Sequence, residues 1–474
     1  MSGRFQRRRL VLGPILICAA FMPTLLKGQG NQQKLNSQYQ SAVALYDAGH
    51  YAEASVQLEQ LLPYAPNSFE IHELLGLAYA SQSQDAKAID HLQTAVRVKP
   101  DSAEAHTNLA ASLVHAGKTE LAGEQFRKAL ELEPHNYDAN HNLGEFYIQS
   151  GKLAEARPLL EEAEKINPSS YDNSYDLAQA DFLTGHLNDA RQVVRAALAQ
   201  KSTGELHNLL GHIEEKDGQY LAAVNEFQAA AHLDPSEDNL FDWGSELLLH
   251  RTYEPAIDVF QQAILRYPGS PRLQIGLGMS LYSRGKYDDA IKALLAAADL
   301  NPSDARCYLF LSKAYDSSPT QAEAVIQRFH RYAELEPNNA LAQYYYAMSV
   351  WKGKRVEDAN LDIQSIESLL QKSVALDDRL PEAHVQLGNL YADRREYDKS
   401  IPQYVRALEL NPNLPDAHYR LGQDYVHIGQ KDRAQAEFDV YQKLRAQHLA
   451  EVDKERAEVQ QFVVSSQSAP SAKQ

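Results

Sequence analysis

Apolar residues recur three and four positions apart along most of the chain, in runs of about a dozen residues broken by short polar turns. Leu143, Tyr147, Leu160 and Ala163 are typical. This is the spacing of an α-helix with one buried stripe. The runs come in pairs, and the pairs repeat about every 34 residues. One copy reads FEIHELLGLAYASQSQDAKAIDHLQTAVRVKP, and a much later one LPEAHVQLGNLYADRREYDKSIPQYVRALELNP. Such a period predicts a stack of like helix pairs rather than one globular core.

Small residues and a proline fix the frame. A Leu-Gly pair opens many copies, as at Leu75-Gly76, Leu143-Gly144, Leu277-Gly278, Leu387-Gly388 and Leu421-Gly422. Small residues follow at Ala88, Ala156, Ala290, Ser400 and Ala434, then at Ala95, Ala163, Ala297 and Ala407. Pro100, Pro168, Pro302 and Pro412 close the unit. Small side chains let helix backbones approach, and a large one there overpacks by about 1–3 kcal/mol. Gly117, Gly151, Gly185, Gly218, Gly285 and Gly429 separate the two runs, where a helix end calls for positive φ. The proline ends the second helix. The frame gives about twelve units, starting near Leu35, Phe69, Ala103, Tyr137, Tyr171, Gly204, Glu237, Pro271, Ala305, Ala340, Pro381 and Pro415.

These residues resemble the signature of the tetratricopeptide repeat (TPR) from about Leu35 to Ala446. The resemblance implies an all-α, right-handed superhelical solenoid of helix-turn-helix units, with the first helix of each pair lining a concave groove. Stability is then a sum of repeat and neighbour terms. Four units depart from the pattern. The fifth has Ser202 in place of the proline, and the fifth and sixth are each a residue short. The ninth is longer around Ser317-Ser318-Pro319, and the tenth carries about seven extra residues within GKRVEDANLDIQSIES. Loops lengthen cheaply, so a tolerated insertion explains the last; a kink or binding feature is the sharper reading.

The ends differ in kind. Residues 1–30 pair a basic start (Arg4, Arg7, Arg8, Arg9) with an apolar run from Leu10 to Leu26 and a small-x-small Gly28-Gln29-Gly30. This predicts a secretory signal peptide, with an uncleaved membrane anchor as the alternative. The repeat array then fills 31–446, a charged capping-helix extension 447–463, and a disordered tail 464–474. Loss of the leader, which carries five basic residues and no acid, moves the net charge from −17 to −22. So acidic a chain argues against nucleic-acid binding. Cys307 is then the one remaining cysteine, expected as a small buried apolar residue.

No catalytic constellation emerges. Gly117-Lys118-Thr119 ends like a phosphate-binding loop, but Ser112 stands where the first glycine is needed, and Gly-Lys recurs at the same turn in Gly151-Lys152 and Gly285-Lys286. The seventeen histidines show no zinc spacing. The expectation is therefore no enzyme, no cofactor and no metal.

The groove is where function is expected. The resemblance turns the second, fifth, sixth, ninth and twelfth positions of each unit towards it. The second is acidic in Glu70, Glu104, Asp138, Asp172, Glu205, Asp238, Glu382 and Asp416. These acids form a rail for a basic partner, or complement the helix dipole whatever is bound. Asn108, Asn142 and Asp176 share the sixth position in successive units, with His141 and Glu145 beside them. They resemble the asparagine ladder of O-linked N-acetylglucosamine transferases, where amides hold an extended main chain; plain solvated polar residues are the alternative. Of Tyr344-Tyr345-Tyr346, Tyr346 takes the packing position and Tyr344 borders the groove with Trp351, as binding anchors or as space-fillers beside the irregularity.

The expected function is a non-catalytic, exported scaffold, periplasmic or secreted, that binds a peptide or partner surface. The alternative is an accessory subunit of an envelope glycan or polysaccharide machine. Membrane contact is expected only through the N-terminal segment, and the oligomeric state is left open.

Overall fold

The computed structural model describes residues 29–354 and 363–447, and every regular element among them is an α-helix. The chain divides into two compact units, Met1–Asn239 and Leu240–Gln474. The first holds α1 (Gln29–Asp47), α2 (Tyr51–Glu59), α3 (Phe69–Ser81), α4 (Asp85–Val98), α5 (Ala103–His115), α6 (Thr119–Leu132), α7 (Tyr137–Gln149), α8 (Leu153–Ile166), α9 (Tyr171–Thr184), α10 (Leu187–Gln200), α11 (Gly204–Lys216) and α12 (Tyr220–Leu233). The division falls inside α13 (Glu237–Leu249). The second unit continues with α14 (Tyr253–Arg266), α15 (Pro271–Ser283), α16 (Tyr287–Leu300), α17 (Ala305–Ser317), α18 (Ala322–Leu335), α19 (Ala340–Lys354), α20 (Ile363–Leu376), α21 (Pro381–Asp393), α22 (Tyr397–Leu410) and α23 (Pro415–His427). A further helix covers 431–447.

Each expected repeat start from Phe69 to Pro415 is the first residue of an odd-numbered helix. The first start differs: α1 begins at Gln29, before Leu35. The missing residues of the fifth and sixth repeats fall in the turns after α10 and α12. Most of the insertion in the tenth repeat, the leader before Gln29, the extension beyond 447 and the tail lie outside the described residues.

Local chemistry sets the helix ends. Ser68, Ser102, Asn136, Ser170, Thr203, Ser270 and Asp304 cap odd-numbered helices, each side chain accepting from a backbone N–H of the first turn. Glycines with φ between 72° and 86° end many first helices. Packing follows the small residues. A Cβ on Gly76 would lie 2.4 Å from Leu92 Cγ, and one on Gly144 2.7 Å from Leu160 Cγ and Cδ2. The second helix of a repeat thus seats its large side chain against the bare backbone of the first. Within each unit, second helices also pack on the next first helix, as α4 does on α5 and α8 on α9. Arg157 on α8 and Arg191 on α10 add ion pairs to the buried Asp181 on α9 and Glu214 on α11.

Cys307 is buried, and its Sγ donates to the carbonyl of Asp304 at 3.1 Å. Burial, with Asp304 nearby, pushes the thiol up to about 12. It stays protonated and packs as a small apolar residue.

Candidate partner-binding site

In the first unit, successive first helices touch one another from α3 to α11. Their shared face is acidic and rich in amides. The second-position acids follow a capping residue whose side chain already bonds one N–H of the first turn. Glu70 instead accepts from Ser68 Oγ at 2.8 Å, and Glu205 accepts from Tyr171 Oη, on the preceding first helix, at 2.7 Å.

Across this face the acids act on one another. Glu73 is pushed up to about 7, by burial first and then by Glu104; the amide of Asn108 pulls the other way. Glu104 is raised by burial, with Asp138 and Glu133 adding to the effect against Lys99. The Tyr137 hydroxyl rises to about 12 through burial, with Asp138, Asp172 and Asp176 contributing. Carboxylates from α3, α5, α7 and α9 therefore share one negative field.

Asn108 and Asp176 of the ladder positions are engaged within the chain. Asn108 is buried, and its Nδ2 donates to Glu73 Oε1 at 3.2 Å, tying α5 to α3. Asn142 on α7 is half-buried. Asp176 on α9 is buried and comes together with His141 and Glu145 of α7. Gln149 Nε2 donates to Glu145 Oε1 at 3.0 Å, and His141 Nδ1 lies 3.3 Å from Asn173 Oδ1.

The aromatic expectation needs correction. Tyr345, not Tyr346, is the most buried of the three tyrosines, against Phe329 with ring centroids 5.7 Å apart. Tyr344 and Tyr346 also pack on the apolar clusters. The reason is that α19 is covered by α17, α18 and α20 together, so three of its faces are packed. Trp351 is 6% exposed within the cluster of Ile366, Leu370 and Leu387. It fills the core rather than standing as a groove anchor.

Sequence reasoning missed a second role for histidine. His72, His106, His384 and His418 hold the fourth position of their repeats. Each turns Nε2 to the backbone carbonyl six residues earlier, in the turn that ends the previous repeat, at 2.9–3.1 Å. Asn140, Tyr308 and Gln343 reach the matching carbonyls of Pro134, Pro302 and Pro337. The signal was present, since a polar residue recurs at one place in the frame.

Comparison with known proteins agrees with this architecture. Models described as tetratricopeptide repeat match residues 113–163, 148–213 and 241–305, and one described as TPR repeat matches 76–115 and 388–429. Together these stretches span just over half of the chain. The protein is an all-α repeat solenoid, and it belongs to the tetratricopeptide repeat superfamily.

Among curated proteins, it is 29% identical over 196 residues to the TPR repeat-containing protein YpiA of Bacillus subtilis, covering 40% of this chain and 44% of that one. It is 23% identical over 215 residues to the human protein O-mannosyl-transferase TMTC1, covering 45% of this chain and 23% of that one. The chain thus spans less than half the length of the curated relatives it matches. Among solved structures, the Cut9–Hcn1 tetramer of the APC/C aligns at 14% identity and TM-score 0.39, covering 88% of this chain and 94% of that one. YrrB, described as a TPR protein with an unusual peptide-binding site, aligns at 20% and 0.34, covering 39% and 96%.

Proposed function

We propose that this protein is a non-catalytic scaffold of the cell envelope that holds an extended, basic segment of a partner on the first-helix face of its first unit. The observation that carries the reading is the shared negative field of Glu73, Glu104, Asp138 and Asp176 from four successive first helices. Glu73 and Glu104, raised by burial and by neighbouring acids, are poised to gain from an incoming cation. A lysine or arginine relieves the repulsion and favours the ionised form. Asn142 adds an amide that can pair with a passing main chain. A preformed helical face leaves the ordering cost with the ligand. The leader-like residues 1–30 support export to the periplasm or beyond, or anchoring by that segment.

Peptide titration tests the reading. The full chain is titrated with a labelled, unstructured Lys/Arg-rich peptide and with its Glu-rich counterpart, from pH 6 to pH 8. The basic peptide is expected to bind more tightly. Because Glu73 titrates near 7 and its ionised form favours a cation, affinity should fall as the pH drops through that value. Glu73→Gln should flatten the pH dependence. Equal binding of both peptides would remove the proposal.

A second reading has one observation behind it, the match to part of a protein O-mannosyl-transferase. On that reading the array is an accessory subunit that positions a glycan or polysaccharide enzyme. Co-purification with glycan-handling enzymes alone, without affinity for the basic peptide, would favour it.

A further inference from the structure

His141 and Glu145 lie one helical turn apart on α7, and Asp176 reaches them from α9. One ligand atom from each lies within 4.8 Å of the other two. A nitrogen and two carboxylate oxygens, gathered from two helices, make a donor set suited to a borderline divalent cation. A second layer holds these groups in place. Gln149 donates to Glu145 at 3.0 Å, and Asn173 faces His141 Nδ1 at 3.3 Å. The Tyr137 ring stacks on the His141 ring, with centroids 5.5 Å apart and planes 13° from parallel. Outer partners of this kind orient metal ligands and tune their basicity. Asp176 and Glu145 are each less than a tenth exposed. Two carboxylates so deeply placed, with ligand atoms within 4.8 Å of each other, gain strongly from a positive charge.

We propose that His141, Glu145 and Asp176 form a binding site for one divalent transition-metal ion, with Zn2+ the best match, which staples α7 to α9. The ligands come from consecutive repeats, so the ion ties one repeat interface directly. Water or a donor from a partner would complete the coordination shell. The site stands on this side-chain geometry, and it shares Asp176 with the face proposed above to receive a basic segment.

The test uses the full chain, stripped with a chelator and titrated with Zn2+ by calorimetry, with Mn2+ and Ca2+ as comparisons. Thermal melts with and without Zn2+ run in parallel. The expected result is one tight Zn2+ equivalent and a raised melting midpoint, with Ca2+ far weaker because an imidazole is a poor ligand for it. Asp176→Asn and Glu145→Gln should each weaken that equivalent about tenfold or more while leaving helicity intact. Glu145→Gln serves alone if Asp176→Asn fails to fold. Zn2+ binding of unchanged affinity and stoichiometry in the folded variants would place the ion on scattered surface histidines and overturn the proposal. Absence of a tight equivalent in the parent chain would overturn it equally.

Discussion

At residue scale, the same place in the frame is filled by chemically different side chains that do one job. His384 Nε2 approaches the carbonyl of Asp378 at 2.9 Å, and its Nδ1 approaches the side-chain amide of Gln403 at 2.7 Å. Gln343 occupies the equivalent position in the preceding repeat and donates to Pro337. The requirement is a donor of the right reach, not an imidazole. His384→Gln should therefore leave stability nearly unchanged in denaturant melts. His384→Leu should lose about 1–2 kcal/mol, from the bonds removed and the partners left unsatisfied. Equal losses in both variants would mean that shape, not the hydrogen bond, fixes this position. Glu73 behaves differently. Its folded-state pKa, near 7, lies above the ordinary 4.5, so the folded chain holds a proton that the unfolded chain releases between those values. Stability from this group is present below pH 4.5 and is lost as the pH rises towards 7. Glu73→Gln should accordingly be more stable than the parent at pH 8 and close to it at pH 4.5, as read by urea unfolding at the two pH values.

At the scale of elements, the repeat is set by a large side chain meeting a bare backbone. Gly144 opposes Leu160, Gly278 opposes Leu294, and Gly388 opposes Tyr404, each too close for a Cβ without a shift. Gly144→Leu should lower the melting midpoint, at a cost of about 1–3 kcal/mol. An unmoved midpoint would contradict the packing described for α7 and α8. This level was legible from sequence because the packing letters recur at a fixed spacing. Helix starts such as Tyr137, Pro271 and Pro415 follow from the small residues, the proline and the apolar period together. The tyrosine run of α19 was misread for a related reason. Periodicity finds one buried stripe, whereas a helix enclosed by α17, α18 and α20 buries several.

At the scale of the whole molecule, nearest-neighbour packing makes a chain of this kind a sum of local interfaces. The letters that specify those interfaces say little about a ligand. The acidic positions of the first unit were readable one by one, but their mutual influence was not. It depends on α3, α5, α7 and α9 standing side by side, which places Glu73 near Glu104 and Asp176 near His141. Contacts between residues about 35 apart leave no mark in local spacing. What the sequence could show was only that polar residues persist on a face where apolar ones would also have folded.

The central claim is that this face receives a basic, extended partner segment, and site-specific photocrosslinking in envelope fractions tests it most directly. A crosslinking amino acid placed at Thr107 or Asn142, on the first-helix face, is compared with one at exposed Lys165 on α8. Adducts at 107 and 142 but not at 165, mapped by mass spectrometry to one Lys/Arg-rich stretch of a partner, are the predicted result. Adducts that fall equally at all three positions, or on acidic stretches, would contradict it.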